Sequence, residues 1–370
     1  MSTDATAVRA RLAETCLELL RIPSPTGQED EIVTHLRRWA LSQRQYGRDD
    51  VVRSDNALIL GAPDDRRPCL ALFGHTDTIP PHDGEAPPRL DGDRIIGLGA
   101  SDMKGAIAVM QVLVETQALA HLPFALMLVL YDREEGPYRE SGLAPLLERF
   151  DVLGSIDLAI AMEPTDLTIQ LGCMGSMHAR ATFRGRAAHS ARPWQGDNAI
   201  HKAGGMLLEL SQRQPREMDV GGMVFREALS ATMARGGHAA NTVPDRFEVN
   251  LNYRFAPTLP LAEAEARAMR EIQRVAAGAE LQVVDVAPAG PVPVENPILD
   301  HIIEHAELEV APKQAWTDVA RLAAFGIDAV NFGPGFTAQA HQRGEFVSLD
   351  ALCRAYDILS LILHTPLDGM

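Results

Sequence analysis

The chain is predicted to be an α/β protein with a mostly parallel sheet, carrying an inserted α+β segment with an antiparallel sheet. Three observations predict this. Residues 69–73, 124–131, 158–162 and 329–332 are short, nearly continuous apolar runs, the pattern of strands buried on both faces. Helical patterns separate them, as in residues 107–114 between the first two, and such alternation favours parallel strands. From about residue 175 the texture changes to strands that alternate apolar and polar, which read as half-exposed. The 370 residues also exceed the ~150 expected of one ordinary domain.

Taken in order, Val8, Leu12, Cys16, Leu19 and Leu20 mark an amphipathic helix with acidic residues interspersed, unlike a secretory leader. Ile22-Pro23-Ser24-Pro25 ends it. Thr26 and Glu29 have capping-box spacing, predicting a second helix through about Trp39. After the first three buried strands, residues 177–183 alternate, 199–212 form an amphipathic helix and 247–255 alternate again. Residues 261–276 are a further helix and 281–286 a further strand. Ala287-Pro288-Ala289-Gly290-Pro291-Val292-Pro293 then reads as a linker back to the first domain. The expected division is residues 1–174 and 288–370 for the first domain and 175–287 for the insert.

With Lys+Arg 34 against Asp+Glu 50, the net charge of −16 argues against nucleic acid or an anionic membrane as partner. Cys16, Cys69, Cys173 and Cys353 show no C-x-x-C spacing, so neither a disulfide framework nor a thiolate metal site is expected, and a reducing cytoplasm is the predicted location. The longest apolar stretch, residues 122–130, is far shorter than the ~20 residues of a membrane span.

The chemistry lies where the buried strands end. His75 and Asp77 follow the first, Glu134 and Glu135 the second, Glu163 the third, and His341 comes after a loop from the fourth. Residues i and i+2 of an extended chain point the same way, so Asp77 is placed to hold the His75 imidazole, as carboxylates hold metal-binding histidines. Asp102, before the helix at 107–114, is a further candidate. Any one of these alone would read as a surface turn or a helix cap. Together they fall at the carboxyl edge of one α/β sheet, where ligands bind. Histidines and carboxylates without cysteine suit zinc, cobalt or manganese. The excess of carboxylates over one tetrahedral ion's needs suggests two metals and a base. Nucleotide-binding glycine loops and the G-x-S-x-G elbow are absent from the sequence. His35, His121 and His305 are read as structural or surface residues.

His75-Thr76-Asp77, Asp102-Met103-Lys104-Gly105, Glu134-Glu135-Gly136, Glu163-Pro164-Thr165 and His341 resemble, in order and spacing, the co-catalytic zinc aminoacylase/carboxypeptidase family. The resemblance covers nearly the whole chain. Within the family, Tyr131-Asp132-Arg133-Glu134-Glu135, residues 185–192, residues 196–202, residues 316–321 and Phe332-Gly333-Pro334-Gly335 look like the actinobacterial branch of succinyl-diaminopimelate desuccinylases. The resemblance implies a zinc-peptidase-like catalytic domain and an inserted lid that makes a homodimer. It implies two zinc ions per subunit, one on His75 and Glu163, the other on Glu135 and His341, with Asp102 bridging. Asp77 would orient His75 and Glu134 would be the general base. His189 would reach the partner subunit's active site and help stabilise the oxyanion, while Asn241 and Arg254 match substrate-contacting positions. Gram-negative desuccinylases tend to carry a substrate-binding arginine where this chain has Met174, and Arg192 is a candidate replacement. The implied reaction is removal of succinate from N-succinyl-LL-2,6-diaminopimelate, a small N-acyl amino acid. Acetylornithine deacetylase, aminoacylase or dipeptidase activity are alternatives, and a non-catalytic binding protein on the same fold would be expected to lose Glu134 or Asp102.

Overall fold

The structure is a computed structural model and describes residues 5–64 and 66–367. The chain divides into two compact units: Met1–Gly172 with Pro293–Ala311 and Thr317–Met370, and Cys173–Val292 with Pro312–Trp316. The sequence placed the crossings at 174/175 and 287/288. It gave no sign that Pro312–Trp316 belongs with the insert, since that short segment has neither a composition shift nor a periodicity of its own.

The first unit is built on an eight-stranded mixed sheet. Its order is Val51–Ser54, Ala57–Leu60, Ala125–Tyr131, Cys69–His75, Leu158–Ala161, Ala329–Asn331, Ile169–Leu171 and Val310–Pro312. The four apolar runs are its four central strands, and their mutual pairings are all parallel. Every residue of these four strands is buried, because helices cover both faces of a parallel sheet and leave no solvated side. Parallel pairing also sends their carboxyl ends to one edge, which is how four segments far apart in sequence come to share a site. The helix Gly105–Thr116 is apolar nearly all round and lies under Ala5–Leu20 and Leu349–His364.

The capping box expected at Thr26 is not formed. The helix Asp30–Ser42 has Glu29 as its N-cap with no side-chain cap bond. Glu29 instead accepts the Gly27 N–H at 2.7 Å, and the Thr26 hydroxyl donates to Asp77 at 3.0 Å. The helix begins at Asp30, which leaves Thr26 three residues ahead of the N-cap and its hydroxyl free to donate to a tertiary carboxylate.

The second unit is a five-stranded antiparallel sheet in the order Arg216–Val220, Met223–Gly236, Arg246–Phe255, Gly175–Arg184 and Glu280–Ala287. One face packs on helices through Met177, Ala179, Ala181, Phe183, Val249, Leu251, Ala268 and Ile272. Two local expectations change here. The single helix at 199–212 is two, Ala199–Lys202 and Gly204–Gln212, broken just before Gly204 and Gly205, which hold the helical conformation poorly. The hairpin Arg216–Val220/Met223–Gly236 was not foreseen; Gly221 and Gly222 both take positive φ, 61° and 81°, as such a turn requires.

Candidate metal centre

All of the strand-end candidates lie in the first unit, and the structure gathers them. His75 closes the strand Cys69–His75 and is fully buried. Its Nδ1 is 3.0 Å from the Asp77 backbone oxygen and 3.5 Å from Asp77 Oδ1, and its Nε2 is 3.0 Å from Asp102 Oδ1. The nearer partner of Nδ1 is therefore the carbonyl, not the expected carboxylate. The Asp77 carboxylate is occupied elsewhere: Oδ1 accepts the Glu134 N–H at 3.0 Å, and Oδ2 accepts the Glu135 N–H at 3.1 Å and the Thr26 hydroxyl.

Asp102 is held from the far end of the chain. Glu345 accepts the N–H groups of Gly99 at 2.9 Å, Ser101 at 2.7 Å and Asp102 at 2.9 Å, clamping the turn that presents the aspartate. Gly99 has φ of 84° and a Cβ there would fall 2.7 Å from the Thr78 methyl group, so only glycine fits the turn. Glu163 follows the strand Leu158–Ala161, and its turn is laced to Gly333 through the Thr165 hydroxyl. A Cβ on Gly333 would lie 2.5 Å from the Glu163 carbonyl oxygen, which accounts for the glycine in Gly333-Pro334-Gly335. His341 sits at φ of 62° in an exposed loop, with Nε2 2.9 Å from Glu135 and 3.9 Å from Asp102 Oδ2.

Among the described residues, three groups of side chains offer ligand atoms within 4.8 Å of one another: His75, Asp102 and Glu163; Asp102, Glu135 and His341; and His75, Glu134 and Glu135. Asp102 belongs to the first two. His35, His121 and His305 are in none of them.

The electrostatics show what this cluster needs. Burial, then the charge of Glu163, raises Glu134 well above the usual carboxylate range. Burial also raises Glu135, against the His341 hydrogen bond. Burial would depress the His75 ring, but its bonds to Asp102 and Asp77 outweigh this and hold it well above the ordinary value. The Glu135 contact lifts His341 to about 9 despite burial. Carboxylates this close repel one another, and cations between them are the natural remedy. Two imidazoles and several carboxylates converging in pairs, with no thiolate, fit divalent ions of the zinc, cobalt and manganese type.

Sequence reasoning passed over one neighbour of the site. Asp318 is fully buried, bonded to Arg321 at 2.6 Å, and burial raises its carboxyl although Arg321 opposes this. Its charge is felt by both Tyr131 and Glu134. The i,i+3 spacing of Asp318 and Arg321 at the start of a helix was the available signal.

The other candidates lie in the second unit. His189 and Arg192 share a loop in which the Arg192 N–H bonds the His189 oxygen at 2.8 Å, and the Ser190 N–H bonds the Asn241 oxygen at 2.8 Å, so His189, Arg192 and Asn241 form one exposed group. Arg254 is separate from them in the sheet, opposite Ser176 and Ala228. Met174 is buried in an apolar cluster with Phe225 and Ala256, which leaves its side chain no role with a carboxylate.

Residues 171–280 match the peptidase dimerisation domain of the M20 type. The chain is 38% identical over 343 residues to a Mycobacterium tuberculosis protein provisionally named a succinyl-diaminopimelate desuccinylase, covering 92% of this chain and 94% of that one. It is 32% identical over 348 residues to the succinyl-diaminopimelate desuccinylase of Corynebacterium glutamicum, covering 93% and 94%. In fold it is similar to an M20 family metallo-carboxypeptidase from Sulfolobus solfataricus, with a TM-score of 0.76 at 16% identity over 95% of this chain and 98% of that one.

Proposed function

This chain belongs to the succinyl-diaminopimelate desuccinylase family of M20 metallopeptidases, and on that premise we propose that it hydrolyses the amide of N-succinyl-LL-2,6-diaminopimelate. It is a metal-dependent amidohydrolase, and its products are succinate and LL-2,6-diaminopimelate, a precursor in lysine biosynthesis. The observation that carries the two-metal reading is that the groups His75/Asp102/Glu163 and Asp102/Glu135/His341 together take up all five expected ligands and have Asp102 as their one shared member. That is the arrangement a bridging carboxylate between two ions requires. We assign zinc as the metal, two ions per subunit.

When bound, such ions lower the pKa of a water and polarise the amide carbonyl. The chain's own residues do the rest. Glu134 takes a proton from the attacking water, whose oxygen bonds to the succinyl carbonyl carbon. As the C–N bond breaks, Glu134 returns that proton to the leaving amine nitrogen. Asp77 holds the Glu134-Glu135 turn through both backbone N–H groups, so the base and the ligand next to it keep different directions. His189 of the partner subunit donates to the developing oxyanion, and Arg254, Asn241 and Arg192 contact the substrate. Dimerisation runs through the inserted domain, and the enzyme acts in the cytoplasm.

The deciding measurement compares kcat/KM for N-succinyl-LL-2,6-diaminopimelate, N-acetyl-L-ornithine and an alanine dipeptide with zinc-loaded enzyme. The succinylated substrate is expected to be best. A higher value for acetylornithine or the dipeptide would overturn the substrate assignment and leave the hydrolase in place.

A further inference from the structure

We infer that His178 is a positioning residue for Arg254: its imidazole fixes the amide of Asn252, which in turn aims the Arg254 guanidinium. The inference rests on Arg254 being a contact for a substrate carboxylate, and it deepens that reading.

In the second unit, Gly175–Arg184 pairs antiparallel with Arg246–Phe255, setting Ser176 opposite Arg254 and His178 opposite Asn252. Met177, Ala179, Leu251 and Tyr253 enter the apolar core. Their alternates Ser176, His178, Asn252 and Arg254 therefore share the opposite face. There Arg254 Nε donates to Asn252 Oδ1 at 3.1 Å. A guanidinium N–H can only donate, so this contact decides which end of the Asn252 amide is oxygen. The amide nitrogen then faces His178 Nε2 at 2.9 Å, Ser176 Oγ at 3.1 Å and, at the long limit, the Met177 carbonyl at 3.5 Å. Nε2 must accept, which puts the ring proton on Nδ1. Nδ1 lies 3.1 Å from the nitrogen end of the Asn250 amide, so a protonated Nδ1 requires that amide to turn over and accept with its oxygen. The same end of Asn250 is 2.7 Å from the Thr232 hydroxyl.

The chain has a consequence at its other end. Arg254 is withdrawn from water, which lowers its pKa, and among the described residues it has no ion-pair partner. Its Asn252 contact fixes the guanidinium plane while leaving the terminal nitrogens for a bidentate carboxylate. If the Asn252 amide turned over, N–H would face N–H at Nε and that plane would be lost. A ring nitrogen that donates instead of accepts would drive this rotation. Burial and the Arg254 charge both hold the His178 ring below the ordinary histidine value, against Asp285 on the neighbouring strand, so the accepting form is the one present at neutral pH.

His178→Gln keeps an acceptor for Asn252, whereas His178→Lys can only donate. In zinc-loaded, 15N-labelled enzyme, the Arg254 Nε–H resonance, assigned by its loss in Arg254→Lys, is expected to stay protected from exchange in His178→Gln and to exchange rapidly in His178→Lys. With N-succinyl-LL-2,6-diaminopimelate, His178→Lys is expected to lower kcat/KM about tenfold, mainly through KM, and His178→Gln by no more than about twofold. In an Arg254→Lys background, His178→Lys should add nothing. An unchanged Arg254 Nε–H signal in His178→Lys, or an equal loss in both backgrounds, overturns the inference. If His178→Lys lowers the melting temperature, His178→Leu, which removes both donor and acceptor, must release the Arg254 signal for the inference to stand. A silent Arg254→Lys single variant would instead overturn the substrate role of Arg254, with the resonance still deciding whether His178 holds it.

Discussion

Asp77 accepts the Glu134 backbone N–H at 3.0 Å while its own backbone oxygen holds His75 Nδ1 at 3.0 Å. One residue thus ties His75, a candidate metal ligand, to the turn that carries Glu134. With the Glu135 N–H and the Thr26 hydroxyl on its other oxygen, the side chain receives three donors. Burial would raise its carboxyl, but His75 and the two N–H groups outweigh that and keep it low, so it is held as an anion. Asp77→Asn turns an amide N–H toward one of those donors. Metal affinity is expected to fall about 10- to 100-fold, measured by competition with a chelator. Affinity unchanged in a folded variant would remove Asp77 from the centre's support.

Glu134 and Glu135 are adjacent and chemically alike, yet only Glu135 contacts His341. Glu134→Gln should retain metal and lose turnover by about 100-fold or more, the usual range for a general base. Glu135→Gln should lose metal first. Near-normal kcat in metal-loaded Glu134→Gln would show that another group takes the proton.

Metal removal offers a test on the fold itself. An ion that binds only the native state raises the melting temperature with its concentration. Adding zinc to chelator-treated protein should raise the melting temperature and saturate at about two ions per subunit by elemental analysis. Saturation at one ion with full activity would contradict the bridging role of Asp102.

If His189 of the partner subunit completes the site, then inactive His189→Ala and inactive Glu134→Gln proteins should regain activity when mixed and allowed to exchange subunits. One of the two sites in each heterodimer would then be whole. Continued inactivity, with exchange verified by mass spectrometry, would place His189 in its own subunit's chemistry or outside it.

Arg254→Lys keeps the charge and removes the planar fork. We expect kcat/KM for the succinylated substrate to fall about tenfold, or about 1.4 kcal/mol of transition-state binding, with metal content unchanged. A loss of thermal stability with normal kcat/KM would make Arg254 a structural strand residue.

His75, Glu134, Glu135, Glu163 and His341 were legible as a set because each closes or follows a buried strand, and strand length and apolar run are local properties of the sequence. The turn at Asp102 was legible only as a motif. Its clamp comes from Glu345, more than 240 residues away, and no periodicity carries a contact of that range. Thr26 shows the same limit: capping-box spacing is a local signal, whereas the helix begins at Asp30 and the Thr26 hydroxyl donates to Asp77, 51 residues away.

What the sequence determined by itself, then, was the α/β class, the four central strands and the histidines and carboxylates that follow them. These follow from burial patterns and residue types that a short window contains. Only the tertiary structure decided that Asp102 stands in two candidate ligand groups, that Asp318 and Arg321 lie buried where the Asp318 charge acts on Glu134, and which end of the Asn252 amide faces Arg254. Each of these depends on strand pairing and on the burial of charge, and both arise when distant segments come together and exclude water.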